Sequence, residues 1–187
     1  MTRNSNKPKL LLHICCAPDS TTAFERLQDS YEVHGFFYNP NIHPKEEYEL
    51  RLKETKKVCS LMNLPLIDSI YDPDLWQNKI RGFENEPEGQ KRCTICFKQR
   101  LDVTAKIAKD NNFNYFSTTL TISPHKNSNI IIEIGTSLAE KHHINFLKED
   151  FKKKDGFLRS INLSKEYNLY RQKYCGCIYS YKLNKFF

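Results

Sequence analysis

Six of the seven cysteines in this 187-residue chain fall into three close pairs: Cys15-Cys16, Cys93-Thr-Ile-Cys96 and Cys175-Gly-Cys177. Sulfurs this near in sequence can reach one metal, one cluster edge or each other, because a tight turn or helix start brings both to one side. Cys93 and Cys96 suit that arrangement. The residues after them have helical apolar spacing, and helix N-terminal amides with Lys91, Arg92 and Lys98 would favour ionised thiols. With Cys15 and Cys16 they make four soft ligands, which admit tetrahedral zinc or an iron–sulfur cluster. Adjacent cysteines sit awkwardly around one small ion, and a cluster with separately ligated irons relaxes that constraint. Gly176 permits a sharp bend, so Cys175 and Cys177 read either as a strained, readily reduced dithiol or as the completion of a metal site.

Other polar residues carry two readings each. Asp19 can cap the helix that follows it or coordinate a second metal beside the thiols. His13 reads as a satisfied strand-end histidine close enough to support a ligand, and the lone Cys59 reads as core packing.

The elements that position these groups alternate. Residues 10–14, LLLHI, form a buried parallel strand, and Pro18 and Asp19 cannot continue it, so Cys15 and Cys16 stand at its carboxyl end. In open α/β sheets ligands bind there. A helix capped by Ser20 and running to about residue 30 follows, then a strand ending near Tyr38 and a turn through NPNIHP. A helix after Pro44 has Tyr48, Leu52, Val58, Cys59 and Met62 on its inner face and its charges outside. LPLIDSIY is the third strand. A short helix around Trp76, a helix from about Thr94 to Asp110 and a fourth strand at NYFSTTL come next. A helix at residues 129–143, a short strand at INFLKED and a helix at residues 157–167 precede the last cysteine pair. Such alternation predicts a parallel sheet with right-handed crossovers, one α/β domain of Rossmann-like topology spanning residues 1–187, with a cysteine-rich C-terminal segment. No repeat or low-complexity stretch interrupts it.

Composition bounds the partners. A net charge of +7, with basic residues clustered at 91–100, 148–155 and 170–177, favours a polyanionic ligand such as nucleic acid. No segment approaches the ~20 apolar residues needed to span a bilayer, and the polar start followed by a short apolar run is not a secretory signal, so a cytoplasmic location is expected. Seven cysteines in a reducing compartment point to ligands or redox thiols rather than a disulfide framework.

The segments HICCAPDS, YNPNIHPKEEYELR, RCTICFKQRL, STTLTISPHKN and LYRQKYCGCIYS, taken together over about residues 9–181, resemble the cobalamin-independent epoxyqueuosine reductases. That resemblance implies two-electron reduction of an epoxide to an alkene on a modified base in the anticodon of transfer RNAs with GUN anticodons. It implies a 4Fe–4S cluster held by Cys15, Cys16, Cys93 and Cys96, and Cys175 with Cys177 as the redox pair. An additional iron or zinc ion would use Asp19, and an electron donor of unstated kind is needed; cobalamin is not. At the carboxyl ends of strands two and four, Tyr38, Asn39, His43, Thr119, His125 and Lys126 face the same crevice and, with Arg171, are the expected substrate contacts, Asn39 reading equally as a turn former. The first strand and its turn also sit where PP-loop ATP pyrophosphatases of the wider HUP group carry a glycine-rich phosphate loop. Here Pro18 offers no amide to a phosphate. The rival readings are therefore an ATP-dependent transfer-RNA modifying enzyme of that type and a zinc-stabilised RNA-binding module.

Overall fold

The computed structural model describes residues 7–184; the first six residues of the polar start lie outside the described residues. Five parallel strands form one sheet in the order β3-β2-β1-β4-β5: β1 (Lys9–His13), β2 (Glu32–Phe37), β3 (Leu66–Asp68), β4 (Tyr115–Thr118) and β5 (Asn145–Phe146). From β1 the chain winds first towards β3 and later, on the other side, towards β5. Because right-handed crossovers in opposite directions lay their helices on opposite faces, the sheet is covered twice.

Helices α1 (Ala17–Leu27) and α2 (Lys45–Leu61) cover one face together with α6 (Gly156–Glu166), while α4 (Lys91–Asp110) and α5 (Ser128–His142) cover the other. The leucine run explains how β1 serves both. Leu10, Leu12 and Ile14 pack on the α1/α2 side and Leu11 on the α4/α5 side, so the leucines of the central strand are buried against both layers. Cys59 lies in the first of these cores, where burial pushes its thiol up to about 12, as expected for packing. Short helices α3 (Pro73–Lys79) and α7 (Ile178–Asn184) complete the order. Among the described residues no helix is long and apolar enough to cross a membrane.

Three element boundaries differ from the sequence expectation. Helix α1 begins at Ala17 with Cys16 as its N-cap, not at Ser20, because proline is tolerated in the first turn where its missing amide has no partner to lose. Asp19 thus lies inside that turn and does not cap it. Helix α4 begins three residues early, which places Cys93 and Cys96 in its first two turns. Helix α7 was hidden in the cysteine-rich segment, whose tyrosines and serine gave no clear helical stripe.

Candidate active site and thiol centre

The carboxyl ends of β1, β2 and β4 open onto a cavity of about 520 Å³ between the two halves of the sheet, its lining including Cys15, Cys16, Asp19, Lys126, Arg171 and Cys175. The chain crosses from strand to helix within three residues, Ile14 to Cys16, and the turn does what an extended strand could not: it aims both sulfurs at one place. They lie 3.9 Å apart, and Cys15 Sγ is 3.2 Å from Asp19 Oδ2. Ligand atoms of the three residues all fall within 4.8 Å of one another. Two metal–sulfur bonds of about 2.3 Å at a tetrahedral angle hold their sulfurs roughly 3.8 Å apart. The adjacent cysteines therefore can share one ion, contrary to the sequence expectation, because the helix turn supplies the bend.

Charge at this corner is tightly linked. Contact with Cys16 and the positive charges of Lys126 and Arg100 draw Cys15 well below the usual thiol range against its burial. Burial and the Cys15 sulfur push Cys16 well above it. Asp19 is raised far above a normal carboxylate by burial and by the charge on Cys15. Cys15 and Cys16 titrate as a linked pair, and Asp19 feels the charge on Cys15. Desolvation opposes the charge on Lys126, but the sulfurs of Cys175 and Cys15 and the Asp19 carboxyl outweigh it and keep the ammonium protonated.

A second thiol group lies beside the cavity. Cys96 and Cys177 are buried against Trp76 and Ile80, with half-buried Cys93 one helical turn from Cys96. Burial drives Cys93 up to about 11 and Cys177 up to about 12, and raises Cys96. Cys175 belongs to both groups: it lines the cavity, and its charge acts on Cys93, Cys96, Cys177 and Lys126. Four sulfurs receive a hydrogen bond, two from side chains distant in sequence and two from neighbouring backbone amides. Thr119 Oγ1 donates to Cys15 at 3.3 Å, Gln172 Nε2 to Cys16 at 2.9 Å, the Gly89 amide to Cys93 at 3.1 Å and the Ser180 amide to Cys177 at 3.4 Å. Donors aimed at sulfur stabilise thiolates, so this donor set fits a metal–thiolate centre. All seven cysteines carry free sulfurs in the structure.

The residues expected to contact substrate divide. Asn39, His125, Lys126 and Arg171 line the cavity. Asn39 is also structural: its Nδ2 donates to Ile14 O at 2.9 Å and its Oδ1 accepts from Arg100, which ties β1 to α4. Thr119 is fully buried and touches Cys15, not the cavity. Tyr38 is packed in the core beside Phe36, and His43 sits against Trp76 and Tyr71. His43 also holds the last cysteine segment, its amide donating to Gly176 O at 2.7 Å and its carbonyl accepting from the Tyr174 hydroxyl. His13 is the satisfied strand-end histidine expected, bonded to Thr118 Oγ1 and Tyr38 O.

Sequence reasoning missed Arg51 and Gln172. Arg51 was read as one charge of an exposed helix face, but it is 3 % exposed. Its guanidinium pairs with Glu47 at 2.7 Å and donates to the carbonyls of Cys175 (3.1 Å) and Tyr174 (3.0 Å), clamping the Cys-Gly-Cys turn. No local pattern announces a bond to a carbonyl more than a hundred residues away.

The sheet order and thiol-lined corner define an α/β fold that also occurs in transfer-RNA modifying enzymes. The U34-tRNA thiolase NcsA from Methanococcus maripaludis, solved with its 4Fe–4S cluster, superposes with a TM-score of 0.58 at 12% identity, over 94% of this chain and 62% of that one. A predicted subunit of tRNA methyltransferase from Methanocaldococcus jannaschii gives 0.56 at 15% identity, over 84% and 75%. These likenesses bear out the expected PP-loop-like fold. The family model "Epoxyqueuosine reductase QueH" matches residues 10–183. Proteins of that name from Streptococcus pyogenes and Thermotoga maritima are 41% and 37% identical, covering 97% and 91% of this chain and 73% and 89% of theirs. The chain belongs to the epoxyqueuosine reductase QueH family.

Proposed function

We propose that this chain reduces epoxyqueuosine to queuosine in transfer RNAs with GUN anticodons, in the cytoplasm and without cobalamin, using a 4Fe–4S cluster and the Cys175/Cys177 dithiol. One observation carries the reading: Cys15, Cys16 and Cys175, from opposite ends of the chain, line one cavity edged with cations, and the charge of Cys175 also acts on the neighbouring thiols Cys93, Cys96 and Cys177. Cys15, Cys16, Cys93 and Cys96 would hold the cluster, and Asp19 beside the first pair would hold an additional iron or zinc ion. Bound there, the cluster supplies single electrons and the ion a Lewis acid.

The reaction consumes two electrons and two protons and releases water. Two thiols that close to a disulfide yield the same two electrons and two protons, so the Cys175/Cys177 pair balances one turnover and a donor must then reduce it. Cys177, pushed up to about 12 by burial, keeps its proton until its partner is oxidised. Opening the epoxide develops negative charge on oxygen, and Lys126, with Arg100 behind it, stabilises that charge at the sulfur-lined corner. His125, Arg171 and the exposed Lys173 face the same opening, where backbone phosphates of an anticodon loop would pass.

Helix α1 argues against the ATP reading. Its first turn presents Pro18, which has no amide to offer a phosphate. The deciding experiment is anaerobic incubation of reconstituted protein with epoxyqueuosine-containing transfer RNA and a chemical reductant, followed by nucleoside mass analysis. Queuosine is expected; its absence after verified iron and sulfide loading refutes the assignment.

A further inference from the structure

Gln172 sits three residues before Cys175, yet its amide reaches the other end of the chain. Its Nε2 is 2.9 Å from Cys16 Sγ, a contact spanning 156 residues. Its Oε1 is buried at the cavity wall and has no hydrogen-bond partner. A buried carbonyl oxygen without a donor is costly, and in a binding cavity it reads as an acceptor kept for a ligand. The side chain thus has one end on a sulfur and, at the other, a buried carbonyl oxygen without a partner, on a residue that lines the cavity. Apart from the adjacent Cys15 thiol, no other side chain contacts Cys16 as a donor among the described residues' hydrogen bonds.

We propose that Gln172 is a positioning residue that couples substrate binding to the reduction potential of the thiolate-bound centre. This rests on the reading of Cys16 as a cluster ligand. Reduction adds negative charge to the centre, and an N–H aimed at a ligating sulfur stabilises the reduced form, which raises the potential. A hydroxyl or N–H of the modified base that donates to Oε1 polarises the same amide and strengthens its bond to sulfur. Electrons are then drawn to the centre most strongly when the epoxide-bearing base is in place, which spares reducing equivalents when the cavity is open to solvent.

The test uses full-length protein loaded anaerobically, with iron and sulfide measured for every variant. Gln172→Met keeps the length of the side chain and removes both polar ends; Gln172→Glu keeps an acceptor and replaces the donor by negative charge. In spectroelectrochemical titrations the potentials should fall in the order wild type, Met, Glu. The reduced fraction at a fixed potential should drop about tenfold in Gln172→Met, equivalent to about 59 mV for a one-electron couple. Adding queuosine-containing transfer RNA, the product, should raise the wild-type potential and leave that of Gln172→Met unchanged. Fully loaded variants with the wild-type potential, or a wild-type potential indifferent to the transfer RNA, would overturn the inference and leave the proposed function standing. A wild-type protein that takes up no iron and sulfide refutes the cluster reading, and the inference with it.

Discussion

Replacing Gly176 by alanine tests whether the Cys-Gly-Cys turn is held in one geometry by the body of the protein. Gly176 has φ +119°, a conformation that L residues rarely adopt, and forcing it costs about 1–3 kcal/mol. A Cβ there would also lie 3.0 Å from Arg51 Nη1 and 3.1 Å from Ile42 Cγ1. Arg51 cannot simply swing away, because Glu47 and two carbonyls hold it. Taking about 2 kcal/mol as the cost, and 2–4 °C per kcal/mol for a domain of this size, the melting temperature should fall by roughly 4–8 °C. If the turn instead relaxes by moving, the strain is relieved but Cys175 shifts, and a misplacement of about 1 Å at a reacting group costs on the order of 100-fold in rate. Differential scanning fluorimetry and single-turnover assays with excess reductant separate the two. A variant that melts within a degree of wild type and also turns over normally would refute the argument that Arg51, Ile42 and the His43 amide fix this turn.

Arg51→Met should remove the clamp while keeping most of the packing; Glu47 would keep only the Tyr170 hydroxyl as a partner, the fold should lose about 3 kcal/mol in urea titrations, and queuosine formation should fall with it. At the far side of the molecule, burial opposes ionisation of Asp102, but hydrogen bonds from His142 and Lys141 hold it below its ordinary 3.8. A lowered acid contributes stability above its unfolded value and loses it as pH falls through the folded one. Asp102→Asn should therefore cost about 0.5 kcal/mol at neutral pH, a small value because the pair is exposed, and the difference from wild type should vanish in strong acid when both are followed by circular dichroism.

Much of this arrangement is legible in the amino-acid order, and the reasons differ by element. The leucine run before Cys15 and the Cys-X-X-Cys at the head of an amphipathic stretch announce a strand end and a helix start, because both rest on local periodicity. Strand order is not written locally: alternation dictates parallel pairing, but the reversal at β1 depends on which helices cover which face. Asn39 and His43 crowd a strand end, and their hydrogen bonds to Ile14, Arg100 and the Gly176 carbonyl add a structural role that the sequence does not announce. The same ambiguity hid Arg51, whose partners become neighbours only when the last segment folds back onto α2.

That fold-back has a consequence for how the centre comes into being. During synthesis at roughly 5–20 residues per second, about 10–30 s separate the appearance of Cys16 from that of Gln172, its hydrogen-bond donor 156 residues later. In that interval the first pair has neither its donor nor the sulfurs of the third pair beside it. A complete thiol corner therefore reports that the whole chain has reached its native topology.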